Sequence, residues 1–185
     1  VSFIFIKSTE GASLMNPYYN ADYAAARKRG YPVGTYHYFT HRTSGAQQAW
    51  YFPSHSHFKK GDLPPVLDLE PLPSQVKKMG GAVNMWSRVR NWLQIVEKKT
   101  GMRPILYVSQ TFVNRWLDAA PDIKRDYPVW IARYGEYKPD IKLWIWQLAP
   151  DGKVRGIAGH TDINVFNGYR NEFKHWLSTE SKKLV

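Results

Sequence analysis

The sequence contains no cysteine, which excludes both a disulfide framework and a thiolate metal site. It has no apolar run near the ~20 residues that cross a bilayer, so we expect no membrane insertion. No glycine-rich phosphate-binding fingerprint follows any predicted strand, which disfavours a nucleotide-binding fold. Because the sequence also lacks a fixed-period repeat and a low-complexity linker, we expect a single domain over residues 1–185.

Acidic residues are scarce relative to basic ones, and 15 Asp and Glu against 26 Lys and Arg give a net charge of +11. Such a surface attracts nucleic acid, anionic membrane or anionic cell wall. The basic residues are scattered along the chain and do not form one basic helix or arm, which argues against a nucleic-acid partner. Aromatic residues reach 15% of the chain, which suits a sugar-binding cleft as well as an aromatic-rich core.

Short apolar runs alternate with helical patterns along the chain. Runs that are apolar on both faces suit strands of a parallel sheet, and the predicted strands are Val1–Ile6, Val33–Phe39, Pro65–Leu69, Ile105–Val108, Val129–Ala132 and Leu143–Leu148. Apolar residues at three- and four-residue steps predict helices over 16–30, 82–101 and 166–177, with shorter ones at 44–52 and 111–119. This order predicts an α/β fold, an irregular TIM-like β/α barrel, with an open doubly wound sheet as the alternative.

Two carboxylates, Asp68 and Glu70, end the third predicted strand. In β/α barrels the active site forms where strands end, and residues i and i+2 of a strand share a face about 6.6 Å apart. Carboxylates held that close repel, so one keeps its proton to higher pH, as glycosidic cleavage requires. A lone Asp-x-Glu is more often a solvated strand end or a helix cap. Here a fully apolar strand precedes the pair and Pro71 delays any helix, which favours function.

The other polar candidates are weaker. His55 and His57 have no carboxylate at metal spacing, so we expect a surface loop and no metal site. His37 fits a hydrogen-bonded core or rim residue. Ser109 has no evident His and Asp set to activate it, which disfavours a serine hydrolase. The carboxylate spacing leaves the retaining and inverting routes open, together with a third route through an N-acetyl oxygen of the substrate.

Several blocks of the chain together resemble glycoside hydrolase family 25, the Chalaropsis-type lysozymes or N-acetylmuramidases. No block is specific alone, but their order and spacing match from residue 1 to about 168. The blocks are Phe5–Gly11, Gly34–Phe39, Leu63–Glu70, Tyr127–Tyr134, Trp144–Gln147 and Gly159–Phe166.

The resemblance implies a barrel of about eight strands that cleaves the β-1,4 bond from N-acetylmuramic acid to N-acetylglucosamine without metal or cofactor. By its position, Glu70 corresponds to the general acid, Asp68 to its acidic partner and Asp162 to a further cleft acid. The expected substrate-binding residues are Lys7, Glu10, Tyr36, Tyr38, Tyr107, Trp130, Tyr134 and Gln147. It also implies peptidoglycan glycan strands as partner, a monomer, and a secreted or cell-envelope location.

Two features of the sequence depart from the family pattern. Family members begin with a strand that bears an Asp, and this chain starts after it, so we expect an N-terminally truncated catalytic domain without the first barrel strand. Leu148 stands where an aromatic residue is common, which could alter a groove contact.

Three rival functions remain. A non-catalytic peptidoglycan-binding module of the same fold is the main alternative. A chitinase-like enzyme would need a longer run of acids before Glu70, and residues 64–67 supply none. A nucleic-acid binder would rest on charge alone.

Overall fold

The structure, a computed structural model, describes residues 1–134 and 143–181. Within these residues the strands are β1 (Ile4–Glu10), β2 (Leu14–Met15), β3 (Val33–Tyr38), β4 (Val66–Asp68), β5 (Ile105–Ser109), β6 (Val129–Ala132), β7 (Ile145–Gly152) and β8 (Thr161–Phe166). The helices are α1 (Tyr19–Lys28), α2 (Gly45–Ser54), α3 (Pro73–Lys78), α4 (Ala82–Thr100), α5 (Gln110–Trp116), α6 (Pro121–Asp126) and α7 (Arg170–Ser181), with a 3-10 turn at Leu117–Ala119.

The strands form one curled sheet in the order β2-β1-β3-β4-β5-β6-β7-β8. Strands β1, β3, β4, β5, β6 and β7 run parallel, while β2 and β8 pair antiparallel at the two ends. The expected α/β fold with a mainly parallel sheet is confirmed. A closed TIM-like barrel is not, because within the described residues the sheet is an open half-barrel whose end strands do not pair with each other.

The sheet has two faces with different cores. On the convex face, residues such as Leu67, Leu106 and Ile131 pack with helix α4, in which Trp86 and Trp92 are fully buried. On the concave face a second apolar cluster joins Val66, Ile105, Trp130 and Ile145 to partly buried aromatic residues that include Phe5, Tyr36 and Tyr107. The concave face is therefore apolar at its base, and the polar groups lie nearer the carboxyl ends of the strands.

The first strand lies further along the chain than the predicted Val1–Ile6. It runs from Ile4 to Glu10, because its polar second half pairs with β3 as far as Tyr38. Gly34 of β3 lies beside Phe5, and a Cβ there would come 2.0 Å from the Phe5 ring. That glycine lets the Phe5 ring cross the neighbouring strand on the concave face.

Several short elements have no counterpart in the predicted set. The two-residue strand β2 and the six-residue helices α3 and α6 are too short to show a period. Strand β8 was missed because it mixes polar and apolar residues, and Phe166 belongs to it, so the last helix begins only at Arg170. None of the described helices combines the length and apolarity that a membrane span needs.

Candidate active site

The sheet register brings the predicted site residues side by side on the concave face. Because Cα partners in neighbouring strands project their side chains to the same face, Tyr38, Asp68, Tyr107 and Trp130 form one row across β3 to β6. Gln147 extends the site onto β7, where it pairs with Asn164 of β8. Gln147 is level with Ala132, two residues beyond Trp130 in β6. A β/α fold places its cleft where the parallel strands end.

A register irregularity in β1 adds Lys7 and Glu10 to this row. Residues three apart in a regular strand face opposite sides, yet Lys7 pairs with Tyr36 and Glu10 with Tyr38, because the register shifts between Lys7 and Thr9. The Lys7 ammonium lies 2.7 Å from the Glu10 carboxylate and 4.9 Å from the centre of the Tyr38 ring. The bulge therefore places one cation and one carboxylate at the edge of the cleft.

Asp68 and Glu70 interact with each other at the end of β4 but differ in their exposure to solvent. Asp68 is buried, at 9% exposure, whereas Glu70 is exposed to solvent. Burial, and then the charge and the hydrogen bond of Glu70, raise the pKa of Asp68 well above its usual range, while Lys7 acts in the opposite direction. The buried carboxyl of Asp68 therefore keeps its proton to higher pH than a carboxyl in water does.

The oxygen Oδ1 of Asp68 is buried and has no hydrogen-bond partner within the described part of the chain. Buried polar atoms are almost always satisfied, because an unpaired one costs about 1–3 kcal/mol. A water or a bound molecule in the cleft can supply the missing partner.

Three tyrosines surround the carboxylates and stay protonated. Burial first, and then nearby acids that include Glu70 and Asp162, raise the pKa of Tyr36, Tyr107 and Tyr134 above the usual value. A neutral phenol can donate a hydrogen bond, which a phenolate cannot. The cleft is therefore lined by hydroxyl groups that can bind sugar oxygens next to its acids.

A hydrogen-bonded chain connects the strand ends on the far side of the cleft. The Tyr107 hydroxyl donates to Oε1 of the buried Gln147 over 2.5 Å, and Gln147 in turn hydrogen-bonds the Asp162 carboxylate. That bond lowers the pKa of Asp162, whereas burial, the larger effect, raises it. Gln147 thus fixes both the phenol and the carboxylate by one side chain.

Trp130 forms the floor of the site and not an open sugar-stacking wall. It is only 6% exposed, lies edge-on to Tyr107 at 5.0 Å, and contacts the Phe5 ring at 4.8 Å. Its indole N–H donates to Asn164 over 3.0 Å. No pattern in the sequence singles out Asn164, because its strand mixes polar and apolar residues without a clear alternation.

The histidines take the places expected of them. His37 is fully buried and bonds to Thr9 and Gln48 behind the site, and burial lowers its pKa to about 4. His57 bonds to the Asn20 side chain near the surface, and His55 packs on Tyr51. Over the described ranges no cluster of three or more His, Asp or Glu side chains is arranged to hold a metal ion.

Comparison with known proteins agrees with this geometry. A family model described as glycosyl hydrolases family 25 matches residues 1–157, which include Asp68 and Glu70 but end before Asp162. Protein YegX of Escherichia coli O6:H1 is 37% identical over 180 residues, covering 96% of this chain and 63% of YegX. Lysozyme M1 of Streptomyces globisporus is 29% identical over 181 residues, covering 91% and 60%. The chain thus spans roughly three fifths of these curated relatives.

The fold is also that of a solved lysozyme. The crystal structure of the bacterial lysozyme from Streptomyces coelicolor superimposes with a TM-score of 0.85 at 26% identity, covering 97% of this chain and 87% of that one. Sequence match and fold lead to the same assignment. The chain belongs to glycosyl hydrolases family 25.

Proposed function

We propose that this chain is a lysozyme that hydrolyses the β-1,4 bond between N-acetylmuramic acid and N-acetylglucosamine in peptidoglycan. The observation that carries the proposal is the pair of Asp68 and Glu70 at the end of β4, of which Asp68 is buried with a raised pKa and Glu70 is exposed. Glycosidic cleavage needs one carboxyl that gives a proton and one that stays charged. Lysozyme M1 and the Streptomyces coelicolor lysozyme, which share the family or fold, support the same reaction.

Glu70 would act as the general acid because it is the exposed member of the pair and can reach the glycosidic oxygen. The proton held by Asp68 passes to Glu70, and Glu70 gives its proton to the leaving oxygen as the C1–O bond breaks and positive charge develops at C1. The Asp68 carboxylate is then left beside Glu70 and can stabilise that charge or orient the acetamido group through Oδ1. Water finally adds its hydroxide to C1 and returns a proton to the pair.

The remaining cleft residues would hold the glycan. Asp162 adds a negative charge beside the reaction centre, and Gln147 and Tyr107 fix its position. Tyr36, Tyr38 and Tyr134 would bind sugar oxygens. Lys7 and Glu10 would bind the glycan at the edge of the cleft. The buried Trp130 would form the floor beneath it.

The same cleft without turnover would be a binding module, and one substitution separates the two functions. Glu70→Gln keeps size and hydrogen bonding but removes the acid, so lysis of bacterial walls should fall by about 10²–10⁴-fold. Because Glu70 is exposed and its charge opposes ionisation of Asp68, the variant should stay folded and its melting temperature should not fall. Glu97→Gln, on α4 and paired with Arg103 away from the cleft, is the matched control and should lyse walls normally.

The products identify the bond that is cleaved. With purified peptidoglycan and the full-length protein, mass spectrometry should find the new reducing end on N-acetylmuramic acid. New ends on N-acetylglucosamine, or wall lysis by Glu70→Gln at the original rate, would contradict the assignment. Binding of walls without any turnover would favour the non-catalytic module.

We further propose that one more strand closes the sheet between β1 and β8. The outer edge of β1 pairs with β2 only at Thr9 and Glu10, and in the described structure β8 pairs on one edge alone. The rings of Phe3 and Phe173, 5.4 Å apart, join the start of β1 to the helix that follows β8.

Action on cell walls also leads us to propose a secreted or cell-envelope protein that works as a monomer.

A further inference from the structure

A second groove lies outside the cleft, between the turn that joins β1 to β2 and helix α2. Its volume is about 520 Å³, within the range of about 300–1,000 Å³ that small-molecule sites occupy. Small side chains on both sides keep it open, and aromatic rings line its length. The lining residues that matter here are Ala12, Ala46, Gln47, Trp50, Tyr51 and His55.

The aromatic side chains of this groove are exposed to solvent, unlike those of the core. Trp50 is 56% exposed although it is a large hydrophobic side chain. Tyr51 and His55 pack with ring centres 4.0 Å apart, and His55 also bonds to the Tyr51 carbonyl, which fixes both rings. Fixed aromatic rings with polar edges suit sugar rings, whose C–H faces pack on them while hydroxyls reach the edges.

A cation lies against the aromatic wall of the groove. None of the residues that line it carries a carboxylate, and the Lys99 ammonium of α4 lies 3.4 Å from the centre of the Trp50 ring. A ligand that combines a sugar ring with negative charge would complement this arrangement. An uncharged glycan would gain only the packing.

The groove begins beside the proposed active site. Ala12 follows Glu10 by two residues, and the intervening Gly11 donates its backbone N–H to the carbonyl of Tyr38. A polymer held at the edge of the cleft therefore has a short path to Trp50. This continuity favours the polymer that the cleft takes over an unrelated ligand such as a nucleic acid.

We propose that this groove is a second binding site for the peptidoglycan glycan, with a sugar ring on Trp50 and Tyr51 and a carboxylate near Lys99. The inference rests on the proposed function for the identity of the polymer, although the binding can be measured without turnover. Two sites on one polymer raise the effective concentration of the strand at the cleft. The groove would keep the enzyme on an insoluble wall between cleavage events.

The test measures binding of the full-length protein to purified peptidoglycan sacculi in the Glu70→Gln background. Adding Trp50→Ala should weaken co-sedimentation by about fivefold or more, as removal of an exposed aromatic anchor does. Trp50→Tyr should retain most of the binding, and Lys99→Gln should weaken binding to sacculi but not to chitin oligomers. Tyr169→Ala is the matched control, because Tyr169 is 79% exposed and lies beyond β8, away from the groove.

A second measurement keeps the two proposals apart. With Glu70 intact, Trp50→Ala should cleave a short soluble peptidoglycan fragment at the original rate but lyse walls more slowly. Equal binding of sacculi by Trp50→Ala and Tyr169→Ala would overturn the groove site while leaving the lysozyme activity standing. Tighter, Trp50-dependent binding of a single-stranded oligonucleotide would overturn the glycan assignment. Absence of cleavage in the unsubstituted protein would instead contradict the proposed function.

Discussion

The buried carboxyl of Asp68 belongs to the proposed catalytic pair and also makes the stability of the protein depend on pH. Its pKa is raised by burial and by Glu70, so the folded protein keeps a proton that the unfolded chain releases above about pH 4. Since the folded state then binds more protons than the unfolded state, the free energy of unfolding falls as pH rises from that point through the raised pKa. The proposed catalytic pair is therefore a source of instability at neutral and alkaline pH.

Asp68→Asn should remove this pH dependence. The melting temperature of the unsubstituted protein should fall more steeply between about pH 5 and pH 9 than that of the variant, because asparagine does not titrate. Thermal unfolding of both proteins across that range measures the difference. Parallel curves would show that Asp68 titrates in the folded protein as it does in the unfolded chain.

The same substitution should lower activity and change its pH profile. In the unsubstituted protein the alkaline limb of kcat/KM reports loss of the proton that the two carboxyls share, a property of the pair. With Asn at position 68 that limb should move to lower pH, because the carboxyl whose raised pKa keeps the proton is gone. Wall-lysis rates from acid to alkaline pH check this. An unmoved limb would mean that Asp68 and Glu70 do not titrate together.

At the scale of elements, the long periodic segments were predictable and the irregular ones were not. Strand β6 (Val129–Ala132) is observed as predicted, and α4 ends before Gly101, whose φ of +68° suits glycine. The eight residues of β7 extend beyond the predicted run, because antiparallel pairing with β8 reaches Gly152. Pairing partners distant in the chain decide such extensions, and local hydrophobic pattern contains no information about them.

The candidate site shows the same division. Asp68 and Glu70 could be found because two carboxylates end a fully apolar strand. The shared position of Lys7 and Glu10 could not, since it depends on the register shift in β1. Nor could sequence pattern reveal that Asp68 is the more buried of the two acids, because that difference arises from the neighbouring strands.

The open edge of the sheet leads to a prediction about its completion. Strand edges expose unpaired N–H and C=O groups, which folded proteins usually cover. If a further strand fills the place between β1 and β8, the full-length protein should protect the edge amides of β1, around Phe5 and Lys7, from hydrogen exchange. A version that starts at Val1 should exchange these amides faster, melt at lower temperature and lyse walls poorly. Equal protection and activity in the two versions would contradict the added strand.

At the scale of the whole molecule, the net charge of +11 is the dominant electrostatic feature. The cleft has the opposite, acidic character, because Asp68, Glu70 and Asp162 lie near one another at the sheet. In the proposed function the positive surface would attract an anionic polymer, and the cleft would act on the sugar bond once the polymer is bound. These two roles should respond differently to salt.

Lysis of intact walls should slow as salt rises beyond about 0.15 M, where the screening length is about 8 Å and continues to shrink. Long-range attraction between the basic surface and the wall is then lost, and association slows. Cleavage of a short neutral oligosaccharide should change far less, because contacts within the cleft act over a few ångströms. Initial rates for both substrates from about 0.05 to 0.5 M salt provide the comparison. If both rates fell equally, the salt effect would lie at the carboxylates of the cleft, and the basic surface would have no part in bringing the enzyme to the wall.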